Sequence, residues 1–221
     1  VQFMFDRADA EKKPAVLNLS LGSDFGPHDG TMLWEQTVAS FVGPDKPGHA
    51  IVAAAGNSGS IVESPIHQSV RVSKGTRTLV PVRAVDRQAD EPGDSGQVQI
   101  WVTFRAGADL KVGLEAPDGT WIEPVGPGVE AGKNTDSYNA GVISGVTQSA
   151  VVPPDCRGAV VVWAGKWPSG TYSVILEGEG MAELYLQGVG DAAPGGRRPA
   201  SFSTGVREGT VRGWATRAPS R

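Results

Sequence analysis

Near the start of the chain, Val1, Met4, Phe5 and Ala8 recur at i, i+3, i+4 and i+7. That is the spacing of one helix face, and Pro14 closes the helix. Ala15 to Leu19 is a short apolar run interrupted only by Asn18, which predicts a strand buried on both faces. A loop rich in Gly, Asp and Pro follows. Trp34, Val38, Phe41 and Val42 then mark the stripe of a second helix running from Thr31 to Val42. Asp29 or Thr31 is placed to cap its start, and Gly43 with Pro44 stops it. Ala50 to Ala55 reads as the next buried strand. Strand, helix and strand at this length make a βαβ unit, so the two strands should be parallel neighbours with a right-handed crossover. The expected fold class here is α/β: part of a doubly wound parallel sheet whose other units lie outside this chain.

From about Val62 the period falls to 2. Val98, Ile100, Val102 and Phe104 alternate with Gln97, Gln99, Trp101 and Thr103, and Leu110, Val112 and Leu114 repeat the pattern. Pro117-Asp118-Gly119 signals a turn into a strand around Trp121. Further strands fit Ala159–Trp163, Tyr172–Glu177 and Glu183–Gln187, with Gly and Pro turns between them. Short strands without helices predict an all-β sandwich or jelly roll. The organisation read from these patterns is 1–61 as the partial α/β unit, 62–191 as a β-sandwich insert, and 192–221 as a linker returning to the first unit. The amphipathic pattern begins directly at Val1, so both ends read as cut from something longer.

Composition adds little to that picture but excludes some function classes. Of 221 residues, 39% are hydrophobic and 20% charged, with a formal net charge of -4. That balance argues against nucleic acid or a polybasic membrane surface as partner, and no apolar run is long enough to span a bilayer. Cys156 is the one cysteine, so no intrachain disulfide or cysteine-based metal cluster forms, and its Val-rich surroundings predict burial. Asp109, Glu115 and Asp118 could ligate calcium, but no loop has a dense acidic ligand pattern. No cofactor is expected. His28, His49 and His67 fall in loop-like settings without metal-ligand spacing and read as solvated or structural.

The chemistry concentrates at two places. Val16-Leu17-Asn18-Leu19-Ser20-Leu21-Gly22 is followed, after a helix-length spacer, by Ile51-Val52-Ala53-Ala54-Ala55-Gly56-Asn57-Ser58-Gly59. Both are strands ending in small residues at their carboxyl ends, the edge where open α/β sheets bind ligands. Small residues there let an extended peptide approach the backbone. Asn57 adds an amide donor suited to an acyl-transfer oxyanion. The N-x-S-[LWF]-G and A-A-G-N-x-G pair resembles the subtilase family of serine peptidases. That resemblance implies that Asn57 is the oxyanion-hole asparagine. It also implies that Ser20, Leu21 and Gly22 pair with the substrate backbone, and that Ala54, Ala55 and Gly56 wall the specificity pocket.

The family's D-[ST]-G, H-G-T and G-T-S-[MA]-A segments are not in this chain. Asp94-Ser95-Gly96 has the letters of the first in the wrong order along the chain, and Gly209-Thr210-Val211 lacks the serine of the last. The chain alone is therefore expected to be inactive, with peptide or protein substrate and the remainder of a catalytic domain as its partners. Extracellular or cell-envelope placement is what the family implies. The long β insert resembles subtilases with a jelly roll between histidine and serine, clostridial spore-germination members among them. Arg105 to Gly119 is similar to accessory β-domains of secreted hydrolases. Trp101, Trp121, Trp163 and Trp167 thus offer stacking surfaces for glycan or protein, or else fill the sandwich core and brace it. Trp101, out of phase with the apolar strand face, is the one expected to be exposed.

Overall fold

The computed structural model describes residues 1–21, 28–54, 65–85, 96–105, 107–145, 156–188 and 199–205. Its elements are, in order, α1 (Gln2–Ala10), β1 (Ala15–Leu19), α2 (Leu33–Ala39), β2 (His49–Ala53), β3 (His67–Val72), β4 (Arg77–Ala84), β5 (Gln97–Arg105) and β6 (Asp109–Glu115). Then come β7 (Trp121–Val125), β8 (Glu130–Asn134), β9 (Tyr138–Ser144), β10 (Cys156–Gly165), β11 (Gly170–Gly188) and β12 (Ala200–Phe202).

The architecture corrects the α/β expectation. β1 and β2 pair in parallel but form a sheet of two strands only, and α1 and α2 span 9 and 7 residues. The described chain is mostly β, and no doubly wound core is present in it. The helical period occurs only in the first stretch, and there it supports two short helices against one small sheet. α2 is also shorter than its apolar stripe suggested. It starts after Met32, whose backbone N–H donates to the Glu35 carboxylate (3.1 Å) three residues on. Asp29 instead closes the preceding turn by accepting from the Thr31 N–H (3.1 Å).

Strands β3 to β12 form one antiparallel sheet, in the order β12-β4-β11-β5-β10-β9-β8, with β3, β6 and β7 joined through β11 and β6. The sheet folds on itself into a nearly closed, barrel-like form. β11 makes the corner. Its first half pairs with β4 and β6, and its second half with β3 and β5. The period-2 residues face inward as alternation requires, with Val98, Ile100 and Val102 fully buried. At the centre, Trp163 and Tyr172 lie ring on ring, with centroids 4.4 Å apart and planes 4° apart. Trp167 is buried and donates its indole N–H to the Val85 carbonyl (2.9 Å). These two tryptophans fill the core. Trp101 and Trp121 are half-buried on the outer faces.

β12 pairs with β4, so residues near the carboxyl end add to the sheet's edge. Cys156 is buried, with an Arg105 guanidinium nitrogen 3.2 Å from its sulfur.

Candidate functional site

The parallel pair is in register from Ala15 opposite His49 to Leu19 opposite Ala53, and the Ala54 N–H donates to the Leu19 carbonyl (3.0 Å). Ser20 and Ala54 therefore leave the sheet side by side at its carboxyl end. Ser20 is exposed, its hydroxyl accepts from the Asn18 amide (3.1 Å), Leu21 is exposed, and Ala54 is half-buried. Gly22, Ala55, Gly56 and Asn57 lie outside the described residues. Three of the seven residues singled out in the sequence are thus together at one edge, and the geometry of the other four is not on view.

Neither strand is buried on both faces, which corrects the sequence reading. One face packs toward α1, while Val16 is 71% and Val52 is 55% exposed on the other. An apolar strand run has the same spelling whether its second face is covered or open. Because these two valines contact so little, Val16→Thr with Val52→Thr should change the chain's unfolding free energy by no more than about 0.5 kcal/mol. Urea unfolding of the double variant checks this, and a larger loss would mean that the face is covered.

The histidines are held by structural contacts, and only His28, in the turn ahead of α2, keeps the loop setting its sequence suggests. His67 begins β3 and His49 begins β2. His28 and His67 stack on the two sides of Tyr185, with centroids 3.9 and 4.3 Å from it and planes nearly parallel. Burial, followed by the Glu183 charge, holds the Tyr185 phenol well above its usual range, so it stays neutral. Glu183 accepts from Ser69 (2.8 Å) and pairs with His67 Nε2 (2.7 Å). Beside it, Asp29 pairs with Arg105. The turn ahead of α2 is thereby seated on β3, β11 and β5. Sequence reading missed this cluster. Its signal was the polar alternation of Glu183 and Tyr185 against Ala182, Leu184 and Leu186.

The cluster is not a catalytic triad. In a triad the imidazole takes the serine proton, whereas here the carboxylate lies between Ser69 and His67. A hydroxyl donating to a carboxylate gains no nucleophilicity from the ring. Among the described residues no group of three or more His, Cys, Asp or Glu side chains is placed to hold a metal.

An open cleft of about 620 Å³ lies elsewhere, at the corner end of the barrel, lined by Gly75, Thr76, Arg77, Asp109, Lys111, Glu177 and Gly178. Its Arg77 pairs with Glu177 (2.6 Å) and lies 5.2 Å from the centre of the Trp121 ring. The charges lining it are thus partly neutralised within the wall. None of its lining residues belongs to β1 or β2.

No protein-family model matches the sequence, and no curated protein matches it. Among solved structures, the chain is similar to the CspB protease of Clostridium perfringens, with a TM-score of 0.66 and 21% sequence identity. The match covers 93% of this chain and 40% of that one, so the chain spans less than half the length of its structural neighbour. At this identity the likeness is one of fold alone.

Proposed function

We propose that the chain is part of a subtilisin-like serine endopeptidase. The observation that carries the proposal is the parallel β1–β2 pair, which brings Ser20, Leu21 and Ala54 to one edge of a fold that follows a protease over 93% of its length. In this reading Ser20, Leu21 and Gly22 add as a strand to the substrate backbone. Ala54, Ala55 and Gly56 leave space for a substrate side chain, and the Asn57 amide donates to the tetrahedral oxyanion. The serine nucleophile and the histidine that takes its proton come from the remainder of the catalytic domain, which is the chain's protein partner together with a peptide substrate. The reaction requires no cofactor, nucleic acid or membrane, and the protein acts outside the cell or in its envelope. The chain by itself is inactive.

In the full protease, Asn57→Ala is expected to lower kcat by about 10²–10³ with KM little changed, the loss seen when such an amide donor is removed from a subtilisin. A fluorophosphonate probe should label the full-length protein and leave this chain alone unlabelled. A full-length protein that binds peptide but takes no label overturns the endopeptidase reading and leaves a pseudoprotease cleft in its place. An unchanged kcat in the variant removes Asn57 from the oxyanion hole.

A further inference from the structure

The His49 ring joins three elements of the amino-terminal unit. It lies face to face with Phe5 of α1, centroids 4.2 Å apart, and Phe5 in turn stacks on Phe41 beyond α2. Its Nε2 is 2.8 Å from Asp9 Oδ1 at the end of α1, and its Nδ1 is 3.1 Å from the Phe41 carbonyl oxygen. Both partners are acceptors only. A neutral imidazole has a single N–H and satisfies one of them, leaving a ring lone pair facing the other oxygen. The imidazolium donates to both.

We propose that His49 is a proton-operated clasp: as imidazolium it ties α1 to the α2–β2 connection at the start of β2, and loss of its proton releases one of the two ties. The charged groups facing the ring are Asp9 from α1 and Lys46 from the turn ahead of β2. The ring's other neighbours, Phe5 and the Phe41 carbonyl, carry no charge. The Asp9 hydrogen bond raises the His49 pKa above the ordinary 6.5, against burial and the Lys46 charge. The sign follows from that direction. The clasp's stabilisation is fully present below about pH 6.5 and is lost as pH rises through the higher folded pKa. The unit is therefore tighter in mildly acidic than in alkaline solution.

An NMR titration of the ¹⁵N-labelled chain tests this, with the His28 and His67 signals separated by single substitutions. At pH 6 both ring nitrogens of His49 should show the protonated shift. The ring should titrate with a midpoint above 6.5, and the Phe41 and Asp9 backbone signals should follow that midpoint. In Asp9→Asn the midpoint should fall, and in His49→Gln the coupled movement at Phe41 and Asp9 should vanish while the core signals of β5 and β10 stay in place. A single-tautomer pattern at pH 6, or Phe41 and Asp9 signals that do not move with the ring, overturns the clasp.

Discussion

Replacing Trp163 with alanine should lower the unfolding free energy of the chain by about 3–5 kcal/mol, the cost of emptying a large aromatic site that cannot collapse. Trp163 is completely buried on β10, and its ring covers the face of an equally buried Tyr172 on β11. The two rings come from strands that do not pair with each other, so the space left by one is not closed by a shift within a single ladder. Their stacking adds to the area term and places the loss toward the top of the range. Trp121→Ala, which empties a half-buried site on the outer face, should cost clearly less. Denaturant unfolding of both variants at equal slope checks the contrast. Equal, small losses would show that tryptophan at 163 is not part of the packed centre.

The same contrast shows what a single sequence can and cannot convey. The inward set of β5, from Val98 to Phe104, was legible because one face of that strand is fully packed and apolar while the other is polar and mostly half-buried, and alternation records that difference directly. The parallel neighbours β1 and β2 were legible too, since strand, helix and strand within a short span leave few other connections. What surrounds them was not. Val16 and Val52 are apolar and outward-facing, and periodicity cannot tell an open sheet face from a covered one. A doubly wound core was therefore inferred from letters that support only a pair of strands. β8, with the sequence Glu-Ala-Gly-Lys-Asn, is an edge strand with nearly every side chain exposed. It carries no apolar signal, because its place is set by backbone pairing to β9. At the candidate site, small residues and a shared strand end were readable. The Tyr185 stack was not, because the alternation of β11 sets Tyr185 apart from the apolar face but does not name its partners His28 and His67, which are far from it in sequence.

β11 is the sharpest case, and it sets the second large effect. Tyr172–Glu177 and Glu183–Gln187 read as two strands with Gly178 and Gly180 in a turn between them, yet the structure runs one strand from Gly170 to Gly188. The glycines mark a bend inside a continuous ladder, where the strand leaves β4 and β6 for β3 and β5. Gly178 has φ +122°, a conformation that a side-chain-bearing residue rarely adopts, and a Cβ there would fall 1.7 Å from the Asp109 carbonyl oxygen. That oxygen is main chain on the neighbouring strand β6, so relief requires parting the β11–β6 ladder. Backbone strain and overpacking together put Gly178→Ala at about 3–5 kcal/mol of lost stability. Gly107→Ala is the matched control. Its added methyl meets nothing within 4 Å, and restricting the unfolded chain there should stabilise by about 0.4–1 kcal/mol. Unfolding curves for the two variants should move in opposite directions, with amide exchange at Leu110 and Val112 accelerated in Gly178→Ala alone. If Gly178→Ala were as stable as the parent chain, β11 would be two separate strands joined by a loop, and the barrel would lose the corner that joins its layers.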